Sequence, residues 1–260
     1  MKKRILAGLL TAIMMLSLCA CGEKELTPSE TRDAYKETME EVTLSQAIDN
    51  GRTLWYYTQA DEVAKDETFS LYIFENGKVA YYGETDVTFG DLNGLSDDEI
   101  IKLVDEATKK SFEEKVAEET DLQTRIRDNN AKIEGDPNPP EKNLQVLENL
   151  TYSSPESASY QLKIITDDTG NNTKEQKITY QWTRLALTNG SQEVSNVGYG
   201  NPADQESSIT LSASSHQYTI YDMEFGGFAT PDGKRVFLTR VDYVAMFALD
   251  APNTAGIETD

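Results

Sequence analysis

The one histidine, His216, stands beside Ser214 and Ser215. These are residue types of a Ser-His-Asp triad, in which imidazole takes the serine proton. No Gly-x-Ser-x-Gly elbow accompanies them, and adjacent residues on a strand point to opposite faces. Ordinary strand or turn placement is therefore expected for His216. The run Asp167-Asp168-Thr169-Gly170-Asn171-Asn172 clusters oxygen ligands as calcium sites do. It lacks the alternate acids, central glycine and terminal glutamate of an EF-hand, and reads as a turn. Paired carboxylates for glycoside hydrolysis could be drawn from the 45 acidic residues, but no spacing picks out a pair. Gly226-Gly227 alone is no phosphate loop. No catalytic residue, metal ligand or cofactor is expected on this basis. Aromatic residues offer more. Trp55, Tyr56 and Tyr57 are consecutive, and Tyr72, Tyr81 and Tyr82 follow. Such side chains on a sheet stack on sugars or anchor a protein partner. The expected contact is Trp55, Tyr56 and Tyr57, with core packing as the competing role.

The thiols belong to a different chemistry. Lys2, Lys3 and Arg4 precede an uncharged apolar stretch, Ile5 to Leu18, and small residues and cysteine follow before the chain turns polar at Glu23. That is the layout of a secretory signal peptide, too short for a transmembrane helix of roughly 20 residues. At its end, Leu18-Cys19-Ala20-Cys21 resembles the lipobox of bacterial lipoproteins. The resemblance implies diacylglyceryl transfer to Cys21 and cleavage after Ala20; it also implies residence on the extracytoplasmic face of the cell membrane. Cys19 departs from the usual small or hydroxylated residue. On this reading Cys19 is discarded and Cys21 acylated, so no thiol is left for a disulfide, a nucleophile or zinc.

Cleavage there also removes three basic residues, leaving 21 Lys and Arg against 45 Asp and Glu and a formal charge of −24. Phosphate backbones are bound through basic clusters, so nucleic acid is not an expected partner. Anionic headgroups would repel this domain, making the lipid its main membrane contact.

Several elements are legible from local signals. Thr27-Pro28-Ser29-Glu30 is a capping box with proline at the first helical position, followed by Tyr35, Met39 and Val42 on one helix face. Thr43 and Gln46 repeat the capping spacing, and Asn50-Gly51 can stop that second helix. Thr53 to Thr58 has strand composition. Asn76-Gly77 predicts a tight hairpin that pairs Glu75 with Lys78 and Tyr72 with Tyr81. Both faces of that hairpin are apolar, so each needs a cover. The helix capped by Ser96 and Glu99, with Ile100, Leu103, Val104 and Ala107 as its stripe, supplies one. A bend is expected near Lys110 and a linker at Asp136-Pro137-Asn138-Pro139-Pro140. Beyond Leu144, alternating Tyr160, Leu162, Ile164 and Ile178, Tyr180, Trp182 predict strands. Further strands are expected at Ile209 to Ala213, Gln217 to Phe225, Arg235 to Val241 and Tyr243 to Leu249, with turns at Asn189-Gly190 and Pro231-Asp232-Gly233.

The expected organisation is a signal peptide (1–20), a lipid-anchored tether with a helix (21–42) and a small α+β domain with a three-stranded antiparallel sheet (43–111). A charged helical or linker segment (112–143), an antiparallel β-sandwich or barrel-like domain (144–252) and a flexible tail (253–260) follow. The expected function is a non-enzymatic binding or envelope-accessory lipoprotein whose partner is an envelope protein or glycan. Its alternatives are a carboxylate-dependent glycan hydrolase and a solute-binding accessory to a transporter.

Overall fold

The computed structural model describes residues 41–60, 63–83, 85–129, 140–184, 188–189, 192–193, 203–241 and 246–260. Cys21, the helix expected from Thr27 and the prolines 137 and 139 lie outside them.

Strand β1 (Glu41–Thr43) leads into helix α1 (Leu44–Ile48) through the expected capping box. The Thr43 N–H donates to Gln46 Oε1 at 3.0 Å, and Gly51 follows at φ 79°. Strands β2 (Thr53–Gln59), β3 (Ser70–Glu75) and β4 (Lys78–Tyr82) are antiparallel neighbours. The β3–β4 register is the one the turn predicts, Glu75 opposite Lys78 and Tyr72 opposite Tyr81. Asn76 at φ 52° and Gly77 at φ 72° form the turn, which matches strand twist only with positive φ at both positions.

Helix α2 (Asp97–Asn129) starts at the Ser96–Glu99 box, where the Ser96 hydroxyl donates to Glu99 at 2.6 Å. It runs as one helix past Lys110, where a bend was expected. Three observations explain the continuation: Phe112 is buried against Tyr152, and Lys109–Glu113 and Lys110–Glu114 pair one turn apart. In addition, α3 (Pro140–Glu148) packs alongside α2, its Leu147 meeting Val116. Pro140 opens α3 at the position where its missing N–H costs nothing. The described part of the charged helical or linker segment expected at 112–143 is thus helical, and residues 130–139 lie outside the described residues.

The remaining strands are β5 (Ala158–Thr166), β6 (Thr173–Arg184), β7 (Thr188–Asn189), β8 (Gln192–Glu193), β9 (Ala203–Ser212) and β10 (Ser215–Ile220). After them come β11 (Met223–Ala229), β12 (Arg235–Val241), β13 (Met246–Ala248) and β14 (Glu258–Thr259). One large sheet runs β10-β11-β12-β2-β3-β4-β5-β6-β9, with β14 added beside β5. Its two end strands, β9 and β10, are joined by Ala213 and Ser214 alone, and the Ser212 hydroxyl donates to the Ala229 carbonyl of β11. The sheet therefore curls into a half-barrel.

This topology corrects three expectations. First, the three strands expected for a separate first domain are the middle of the curled sheet. β2 pairs β12, nearly 180 residues downstream, with Tyr57 opposite Phe237, and residues 40–260 form one compact unit. Second, Gln217 to Phe225 is not one strand but two, folded at Tyr221-Asp222 with Tyr221 at φ 52°. Third, the C-terminal residues are not a loose tail. Asp260 accepts from the Thr166 N–H and hydroxyl at 3.0 Å each, and Glu258 pairs with Lys163.

Both faces are covered, by different means. On the outer face Leu54, Tyr56, Leu71 and Leu238 pack with Phe89, Leu92, Ile100 and Val104. On the inner face Trp55, Tyr72, Phe74 and Phe237 pack with Ile178, Tyr180, Ile209 and Leu211, and with Leu44, Ile48 and Phe247. Gly226-Gly227 make the curl feasible. A Cβ on Gly227 would lie 2.0 Å from the Phe237 carbonyl oxygen, and one on Gly226 would lie 2.6 Å from the Phe247 ring.

Candidate functional site

Alternation along β2 sends Trp55 and Tyr57 to the inner face and Tyr56 to the outer. Trp55 is fully buried, stacked on Phe237 with ring centroids 4.8 Å apart. Tyr56 is equally buried, edge-on to Phe69 at 5.0 Å. Neither can meet a partner at the surface. Core packing claims both, because each sheet face has its own cover. Only Tyr57 of the three is half-buried, at the mouth of the inner face.

Tyr57 lines a shallow cleft with Thr210 of β9, Arg235 of β12 and Thr230, Pro231, Asp232 and Lys234 from the β11–β12 turn. The β2–β12 register creates it. Phe237 lies opposite Tyr57, so Arg235, two residues earlier, shares that face. The Arg235 guanidinium sits 5.4 Å from the Tyr57 ring centroid, within cation–π range. Asp232 holds the turn: its Oδ1 accepts from the Thr230 hydroxyl at 2.6 Å and the Lys234 N–H at 3.1 Å. Those bonds, the Thr230 hydroxyl foremost, lower its pKa. Gly233, at φ 69°, completes the turn.

Behind the cleft runs a tyrosine cluster. Tyr57 meets Tyr72 edge-on at 6.4 Å, and Tyr72 meets Tyr81 at 4.8 Å and Tyr180 at 5.4 Å. The Tyr72 and Tyr180 hydroxyls share a hydrogen bond of 2.9 Å. Burial pushes the Tyr180 phenol up to about 12. Burial first, then the Tyr180 and Tyr81 phenols, raises Tyr72 further. Burial also raises Tyr57, with Arg235 opposing. All three are neutral near pH 7, suited to stacking and hydrogen bonding rather than to proton abstraction.

His216 lies on β10 opposite Gly227, its Nδ1 3.4 Å from the Tyr218 hydroxyl. The Ser214 carbonyl accepts from the Ala229 N–H, an edge contact of the sheet. No triad is assembled by these residues. In the loop after β5 the Asp167 carboxylate accepts from Thr169 and Asn172, with Gly170 at φ 71°, which is turn chemistry. Among the described residues no group of three or more His, Cys, Asp or Glu side chains could hold a metal ion. Among them, too, no helix is long and apolar enough to cross a membrane.

Two acidic residues that sequence reasoning passed over organise the structure. Asp250, buried, accepts from the Ser45 N–H and hydroxyl and from Gln176 Nε2, tying α1 and β6 to the end of the sheet. Asp105 on α2 accepts from the Tyr82 and Tyr152 hydroxyls at 3.1 and 2.8 Å. Nothing local marks either one. Arg235 had a local signal, the Lys234-Arg235 pair directly after a Pro-Asp-Gly turn.

No protein family, curated protein or solved structure matches the chain.

Proposed function

We propose that this chain is an extracytoplasmic lipoprotein, held on the cell membrane by lipid on Cys21, that acts by binding a component of the cell envelope. The anchor rests on the Leu18-Cys19-Ala20-Cys21 run after an apolar signal segment. The observation that carries the binding reading is the Tyr57–Arg235 cleft, where an aromatic face and a fixed guanidinium stand together at the mouth of the half-barrel. That pairing of flat apolar surface with a few placed polar groups is typical of recognition sites. The partner class is an envelope protein or glycan. A carboxylate-dependent hydrolase is less well supported by this cleft. It needs two facing carboxyl groups, and the lining supplies Asp232, whose carboxylate is committed to its turn.

The test has two parts. Labelled palmitate should enter the wild type and not Cys21→Ala; equal labelling would remove the anchor. Wild-type protein should be retained on cell-envelope material and Tyr57→Ala should lose most of that retention. Unchanged retention would remove the cleft as the contact, and turnover of an envelope glycan would overturn the non-enzymatic reading.

A further inference from the structure

The cleft brings two basic side chains together in an acidic molecule. The chain carries a formal charge of −21, and many of its basic side chains sit beside a carboxylate. Arg52 pairs with Asp98, Lys102 with Glu106, Lys163 with Glu258 and Arg240 with Asp97. Among the described residues, Lys234 and Arg235 are in no ion pair, although they are adjacent and line the same cleft. Asp232 also lines the cleft, where its Oδ1 accepts from Thr230 and the Lys234 backbone and its charge is felt by Lys234.

Arg235 is also prepared for a ligand. Its guanidinium rests over the Tyr57 ring, which restricts the side chain without satisfying its N–H donors. A planar fork of donors held in place fits a carboxylate or phosphate through two parallel hydrogen bonds. Lys234 adds a second positive charge. The exposed part of the Tyr57 face can lie against a sugar ring.

Building on the proposed binding role, we infer that the Tyr57–Arg235 cleft recognises an oxyanion, carboxylate or phosphate, carried on an envelope glycan. Arg235 and Lys234 hold the anion and Tyr57 supports the adjoining sugar. The net negative charge of the rest of the surface offers anions no general attraction. The interaction therefore requires docking at this cleft rather than general attraction.

The experiment uses the mature lipidated protein in neutral detergent. Inorganic phosphate, glucuronate and glucose are titrated at matched ionic strength while the backbone amide signals of Thr230 and of residues 232–235 are followed. Either or both anions should shift these signals and glucose should do so far less. A shift with phosphate alone points to a phosphorylated polymer, and one with glucuronate alone to a uronic acid. Arg235→Gln should weaken the response at least tenfold and reduce envelope retention, with the melting temperature unchanged because this side chain is exposed. Arg235→Lys should recover part of the loss. Lys234→Gln should give a smaller weakening. If Arg235→Gln keeps full retention while Tyr57→Ala loses it, the oxyanion is refuted and the binding role stands. If neither variant alters retention, both fail.

Discussion

The two faces of the central strands are equally apolar and are covered in opposite ways. The outer face of β2–β4 is closed largely by chain that follows soon after it, from Val87 to Val104. The inner face is closed by β6 and β9, more than a hundred residues away, with help from α1 and β13. The outer cover is a helix and a loop laid on a sheet. The inner cover is the sheet's own far end curling back. The inner arrangement leaves a mouth, and the one half-buried aromatic of the Trp55–Tyr57 run sits there. A closed local cover makes a core, whereas a long-range curl makes a core with an opening.

The contrast can be broken by truncating one side chain on each face. Trp55 touches Phe228, Phe237 and Phe247. Trp55→Ala should cost about 3–5 kcal/mol by denaturant unfolding, as large aromatic deletions do. It should also lower amide protection in β6 and β9. Ile100→Val on the outer face should cost about 0.5–1.5 kcal/mol and leave the cleft signals unchanged. Equal losses, or unaltered protection in β6 and β9 with Trp55→Ala, would contradict the inner-face account.

Alkaline pH sharpens the same comparison with a smaller effect. A tyrosine whose folded pKa is raised binds its proton more tightly in the folded chain. Its contribution is fully present below the unfolded value near 10 and lost as pH rises through the folded one. For Tyr180 that window runs from about 10 to about 12, and Tyr72 extends it upward. Stability should fall between about pH 10 and about pH 12, and the double variant Tyr72→Phe/Tyr180→Phe should make that fall shallower. An unchanged slope would mean that these phenols do not stay protonated in the folded state.

What was legible in the sequence follows the same division between near and far. The Asn76-Gly77 register, the Thr43–Gln46 box and the Ser96–Glu99 box were readable because each is encoded within a few residues. The outer cover was readable because its stripe from Ile100 has helical spacing. The continuation of α2 past Lys110 was not, since Phe112 and Val116 find their partners in Tyr152 and Leu147. The hairpin at Tyr221-Asp222 was also missed, because a bulky aromatic at φ 52° carries no turn signal. The role of Gly226-Gly227 depends on Phe237 and Phe247, which no local window contains. Within the candidate site the alternation that separates Tyr56 from its neighbours was legible. The meeting of Tyr57 with Arg235 was not, because it depends on a pairing across nearly 180 residues.

The central claim is that residues on either side of the α2–α3 pair form one curled sheet rather than two domains. Expressing residues 144–260 alone tests it most directly. That fragment keeps β5, β6, β9 and β10 to β12 but lacks Trp55, Tyr72 and Phe74, against which its inner face packs. The account predicts no cooperative thermal transition and little amide protection in the isolated fragment. A sharp transition near the melting temperature of the intact protein would contradict it.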